Sequence, residues 1–130
     1  MSPYRLSGRT IIVVEDHDDA RIAIGIFLNR IGATAVLARN GFECLEAVKN
    51  HHPDLVITDL HMPGMDGFEL LRKIRALAPD AGGGTPVIAM TALDTRFERT
   101  RILNLGFQAC LQKPFTVENL VETILYLLDR

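Results

Sequence analysis

Cysteine is nearly absent: Cys44 and Cys110 are the two in a chain of 130 residues. So far apart, they make neither a disulfide framework nor the spacing of a metal site. Also lacking is any stretch near the roughly 18 uninterrupted apolar residues of a membrane span, so no membrane association is expected. The opening Met-Ser-Pro-Tyr-Arg has no basic-then-apolar layout of a secretory signal, which makes the reducing cytoplasm the expected location. Nor is there a basic stripe. Arginines are scattered through a chain of formal net charge -2, and direct binding to nucleic acid is not expected. The chain is long enough to bury one core and too short for a second, so one domain is expected.

What the sequence does contain is alternation. Four apolar runs, Ile11 to Val14, Ala35 to Ala38, Leu55 to Ile57 and Val87 to Met90, are bounded by Gly, Pro or charged residues and read as buried strands; a weaker fifth covers Ala109 to Leu111. Between them the spacing turns helical. Ala20, Ala23, Ile24, Phe27, Leu28 and Ile31 share one face of a first helix, Leu45 and Val48 belong to a second, Phe68 to Leu77 to a third and Val117 to Leu128 to the last. Arg96 to Leu105 opens on Thr95 and Glu98, a good capping box, but its apolar residues make a poor stripe, and loose packing is expected. Strict alternation of strand and helix implies right-handed crossovers and a parallel sheet covered on both faces. The expected class is α/β, a flavodoxin-like (βα)5 doubly wound sheet of order 2-1-3-4-5, with residues 1–9 as a leader and 10–130 as the domain. Asp80 to Thr85, with three consecutive glycines, reads as a mobile loop. Cys44 reads as a buried structural thiol, and Ile22 and Ile26 as a small exposed ridge one turn apart on the first helix.

In such folds the site lies beyond the carboxyl ends of the strands. There the first strand runs into Glu15-Asp16, the third into Thr58-Asp59, the fourth into Thr91-Ala92 and the fifth into Lys113-Pro114. Alone, an acidic pair after a strand is an ordinary solvated loop, and Thr91 alone is an ordinary helix cap. Together they differ: three carboxylates repel one another unless a cation sits among them. Oxygen-only ligands favour Mg2+, with Mn2+ as an alternative. A carboxylate nucleophile, a hydroxyl and an ammonium around one metal are the equipment of phosphoryl transfer, with Asp59 as the central candidate. His17 and His61 lack a close pair of partner ligands at zinc-site spacing and read as solvent-facing loop residues with no metal role for their side chains.

From about Thr10 to Leu128 the sequence resembles the receiver domains of two-component signalling. The resemblance rests on Val13-Val14-Glu15-Asp16, on Asp54 to Gly67 with Asp59, Pro63, Gly64 and Asp66 inside it, on Met90-Thr91-Ala92 and on Lys113-Pro114-Phe115. It implies that Asp59 accepts a phosphoryl group from a phosphohistidine of a sensor histidine kinase or histidine phosphotransfer domain. It further implies magnesium held by Asp16, Asp59, the main-chain carbonyl of His61 and, through water, Glu15, with Thr91 and Lys113 on the phosphoryl oxygens. Such a domain is a signalling switch rather than a turnover enzyme, expected as a monomer or weak dimer. Ile22, Ile26, Pro114 and Phe115 match positions through which receivers dock their partners. His61 and Leu93 match positions that tune self-dephosphorylation; neither is a carboxylate that would order an attacking water, so a long-lived phospho-form is expected. One position departs from the pattern. Many receivers carry Tyr or Phe where this chain has Cys110, so either the output couples through another group or the shape change is muted.

Three rivals share parts of this pattern. A flavin-binding electron carrier needs a hydroxyl- and glycine-rich loop after the first strand, where Glu15, Asp16, Asp18 and Asp19 would repel phosphate. A phosphatase of the haloacid-dehalogenase type wants a second aspartate at position 61. A pseudo-receiver acting as a phosphorylation-independent interaction module is kept open by Cys110, against an intact set of acidic pair, aspartate, threonine and lysine. With no output domain after Arg130, the expectation is a stand-alone regulator or a piece of a larger protein. Leu6 to Arg9 and the glycine-rich loop resemble receivers of hybrid kinases.

Overall fold

The computed structural model describes residues 6–92 and 95–128. Strands β1 (Thr10–Val14), β2 (Thr34–Ala38), β3 (Leu55–Asp59), β4 (Val87–Thr91) and β5 (Ala109–Gln112) alternate with helices α1 (Asp18–Arg30), α2 (Gly41–His51), α3 (Gly67–Arg75), α4 (Arg96–Asn104) and α5 (Val117–Leu128). All neighbouring strands pair in parallel, in the order β2-β1-β3-β4-β5. This is the flavodoxin-like arrangement that the alternation predicts. Period-two side chains divide the core. Ile12, Val14, Val56 and Ala89 face α2 and α3 through Cys44, Val48, Leu70 and Ile74, while Ile11, Val13, Ile57 and Met90 face α1 and α5 through Leu28, Leu120 and Ile124. With both faces covered, β3 and β4 are buried along their whole length, which is why they read as unbroken apolar runs.

Two local readings change. The stripe on α1 is rotated from the pattern: Arg21, Gly25 and Leu28 are buried and Ala23 is exposed. The reason is β2, because a Cβ on Gly25 would come within 2.8 Å of Leu37 Cδ2; the helix packs backbone-first at that point. The glycine run after Pro79 is fastened rather than loose. Arg75 Nη1 donates to the carbonyls of Gly83 at 3.0 Å and Thr85 at 2.7 Å, and a Cβ on Gly83 would sit 2.1 Å from the Leu77 carbonyl oxygen. Gly83 is there for close approach. Ahead of β1, Leu6 is fully buried in the α1/α5 half of the core, so the chain is anchored before its first strand.

Helix α4 has Ile102 as its buried residue and leaves Phe97 and Leu103 exposed, as its weak stripe predicts. Thr95 Oγ1 accepts from the Glu98 amide at 3.0 Å, which is the first half of the capping box. Cys44 is fully buried, and burial pushes its thiol up to about 12.

Candidate functional site

Each site residue stands where a strand stops. Beyond β1, Glu15 is fully buried, its amide donating to the Ala38 carbonyl at the end of β2 at 3.1 Å. At the end of β3, Asp59 is 8 % exposed and its Oδ1 accepts from the Leu60 amide at 2.8 Å. Asp59 pairs in register with Met90, so Thr91 lies one residue further along the neighbouring strand, buried at the tip of β4. Lys113 follows β5, its amide donating to the Thr91 carbonyl at 2.6 Å, and its peptide bond to Pro114 is cis.

Lys113 joins the two carboxylates. Its Nζ lies 2.8 Å from Glu15 Oε1 and 2.9 Å from Asp59 Oδ2. Burial works against ionised Glu15, but the hydrogen bonds from Lys113 and from the His17 amide and ring outweigh it and bring the carboxyl down to about 2. Burial likewise disfavours the Lys113 ammonium, and the bonds to Glu15 and Asp59 raise it nonetheless. Part of the crowded negative charge is therefore balanced from within the protein.

Asp16 is left over. Its Oδ1 is buried yet accepts no hydrogen bond from any described residue. A buried, donorless carboxylate oxygen is costly, and a hard divalent cation would relieve it with oxygen ligands of the kind such ions prefer. The donor set thus fits a metal.

Sequence reasoning missed two contributors here. His17 is solvent-facing as expected, but its ring Nδ1 lies 3.2 Å from Glu15 Oε2 and 3.5 Å from Asp16 Oδ1. Its close partners are its own chain neighbours, a pattern that zinc-site spacing does not look for. Arg21 is a buried cation whose Nη1 donates to the Glu15 carbonyl at 2.9 Å while Nη2 bonds Asp18 Oδ1 at 2.6 Å. It holds the β1–α1 loop in place. An arginine inside an apolar helical stripe was the available signal.

Gly67, at the start of α3, belongs to the same construction. A Cβ there would lie 2.6 Å from the Asp59 carbonyl oxygen and 2.9 Å from Leu60 Cα, while the Gly67 amide donates to the Leu60 carbonyl at 2.8 Å. Backbone cannot yield as a flexible side chain does. Gly67→Ala should cost about 1–3 kcal/mol by overpacking and push the end of β3 outward; chemical denaturation checks this, and unchanged stability would contradict it.

The predicted docking residues divide between two neighbouring features. Ile22 and Ile26 are 47 % and 48 % exposed on α1. Pro114 and Phe115 border a groove of about 450 Å3 with Ala20, Ala23, Ile24 and the site residues Glu15 and Lys113. His61 is exposed, Cys110 is partly buried in β5 opposite Ala89 of β4, and Leu93 lies outside the described residues.

A doubly wound sheet with an acidic pair, a buried aspartate and a lysine converging at its carboxyl edge defines the receiver class. Residues 11–125 match the response regulator receiver domain, and the chain belongs to that family. It is 37 % identical over 116 residues to sensor protein EvgS of Escherichia coli K12, covering 89 % of this chain and 9 % of that protein. It is 35 % identical over 120 residues to response regulator MprA of Mycobacterium sp. strain KMS, covering 92 % and 50 %. The chain therefore spans half or less of the length of these relatives. Among solved structures, the receiver domain of sensor histidine kinase PA1611 from Pseudomonas aeruginosa, which holds a magnesium ion in its active-site cleft, superposes with a TM-score of 0.84 at 27 % identity, covering 95 % of this chain and 100 % of that one. Among the described residues no helix is long and apolar enough to cross a membrane.

Proposed function

We propose that this chain is a phosphoacceptor in a histidine-to-aspartate relay, with Asp59 as the acceptor. The observation that carries the reading is the Lys113 ammonium bonded at once to Glu15 and Asp59. That contact pairs the largely buried nucleophile with an ammonium and leaves a cation beside the point where phosphoryl oxygens would arrive. An Asp59 carboxylate oxygen attacks phosphorus as the P–N bond of a partner phosphohistidine breaks, and the freed imidazole takes up a proton from solvent. Lys113 and the Thr91 hydroxyl hold the equatorial oxygens, whose charge is what catalysis of this transfer must stabilise. Asp16, Asp59 and the His61 carbonyl would hold magnesium, with Glu15 acting through water. Bound there, the ion neutralises charge on the carboxylates and the incoming group.

The acylphosphate then biases a two-state shape change, and water as nucleophile resets it. With histidine at position 61 and leucine at 93, neither tuning position offers a carboxylate to order that water, so the phospho-form is long-lived. Cys110 is too small to repeat the inward turn of an aromatic ring, and the shape change travels through another group or is muted. The protein is a switch and not a turnover enzyme. Incubation with acetyl phosphate and magnesium, followed by intact mass, tests the reading: one phosphoryl group should be gained and EDTA should prevent it. No gain would overturn it.

Docking of a kinase or histidine phosphotransfer domain on α1 and the groove beside Pro114 and Phe115 would place the donor over Asp59. Ile22→Ser with Ile26→Ser should slow transfer from such a partner by about tenfold or more, each side chain contributing on the order of 1 kcal/mol or more of buried apolar contact. Labelling by acetyl phosphate should be unchanged. Equal losses in both assays would contradict the docking assignment.

A further inference from the structure

Glu15, Asp16 and His17 are consecutive, and each turns one ligand atom toward the others, all within 4.8 Å. His17 Nδ1 stands 3.2 Å from Glu15 Oε2 and 3.5 Å from Asp16 Oδ1. Two donors bound at roughly 2.1 Å to one ion lie about 3.0 Å apart at octahedral angles and about 3.4 Å apart at tetrahedral ones, so these gaps suit a shared cation. The Asp16 oxygen in this trio is the buried one with no hydrogen bond from the described residues. At 3.5 Å the ring does not satisfy it.

We propose that His17 is a nitrogen ligand of the cation held by Asp16, so that the site takes divalent ions of the manganese-to-zinc series in preference to magnesium. The proposal rests on the metal-dependent phosphoacceptor reading above. Its chemistry follows from ligand type. Magnesium is hard and keeps oxygen ligands and water, whereas imidazole adds binding energy for Mn2+ and more for Zn2+, following the order of affinity along the first transition row. The ring is in reach without rearrangement of the loop, because the His17 amide already donates to Glu15 Oε2 at 3.1 Å and fixes the backbone. The side chain itself is 77 % exposed, and ligation would release to solvent the Nδ1 proton now shared with Glu15 Oε2, since a metal-bound imidazole nitrogen is deprotonated.

The rival account is that the ring merely bonds Glu15. Mn2+ bound to the full chain and observed by electron paramagnetic resonance, displaced in turn by Mg2+ and by Zn2+, separates the two. His17→Ala should weaken Zn2+ by about 100-fold or more and leave Mg2+ within about twofold, since the loss of a ligand exceeds the 10–100-fold scale of outer-shell changes for nitrogen-seeking ions alone. His17→Asn, which retains a hydrogen-bond donor, should lose the same selectivity. Nitrogen modulation of the Mn2+ signal should be present in the native chain and absent in both variants. Asp16→Asn should abolish the bound signal, which excludes binding at His51 and His52. Equal losses of Zn2+ and Mg2+, no loss, or no nitrogen modulation would overturn the proposal; if Mg2+-dependent labelling of Asp59 persists in that case, the phosphoacceptor reading stands without it.

Discussion

Asp59→Asn should reduce phosphoryl incorporation from acetyl phosphate to background while the chain stays folded. The amide oxygen of asparagine can still accept from the Leu60 amide, the bond that Asp59 Oδ1 makes at 2.8 Å. Lys113 keeps its partner Glu15 at 2.8 Å. What disappears is the negative oxygen that attacks phosphorus. A neutral amide is no substitute nucleophile, so the loss is one of chemistry and not of structure. Far-ultraviolet circular dichroism and thermal unfolding give the structural control, and intact mass gives the label. Undiminished labelling of the variant would place the acceptor elsewhere.

Lys113→Ala should slow labelling on the order of 100-fold, the scale of losing one preorganised charge donor, and at the same time tighten Mg2+ binding. These opposite signs follow from one contact. The ammonium compensates both Glu15 and Asp59, so it competes with a metal for the same negative charge while serving the arriving phosphoryl group. Without it the buried Glu15 carboxyl, brought to about 2 in large part by Lys113, faces burial with help from His17 alone, and its pKa should climb. The metal-free variant should therefore melt earlier than the native chain, and saturating magnesium should recover much of the difference by mass action. Calorimetric titration and melting curves with and without the ion check both halves. Weaker magnesium binding in the variant would contradict the account.

Most of the fold was legible because buried parallel strands and amphipathic helices write different periods. β1, β3 and β4 carry the uninterrupted apolar runs Ile11 to Val14, Leu55 to Ile57 and Val87 to Met90 since both their faces are covered, and α3 and α5 carry clean stripes through Leu70, Leu71 and Ile74 and through Leu120, Val121 and Ile124. Glycine was the harder letter. The same residue type marks flexibility and close approach, and Gly25, Gly67 and Gly83 are cases of approach that only the neighbouring element reveals. The site residues Glu15, Asp59 and Lys113 were readable because doubly wound sheets gather strand tips at one edge. The side-chain angles within the β1–α1 loop were not. Sequence spacing marks Arg21 as a cation within the apolar stripe of α1, but it does not say that the side chain reaches back to the Glu15 carbonyl or that the His17 ring leans on the acidic pair before it.

Trapping the phosphorylated chain with borohydride and mapping its peptides tests the central claim most directly, because reduction converts only an acylphosphate carboxyl and leaves phosphohistidine and phosphoserine untouched. After incubation with acetyl phosphate and magnesium, the reduced residue should be Asp59 alone. Label on His17 or His61, reduction at Glu15 or Asp16, or label that accumulates equally in EDTA would contradict it.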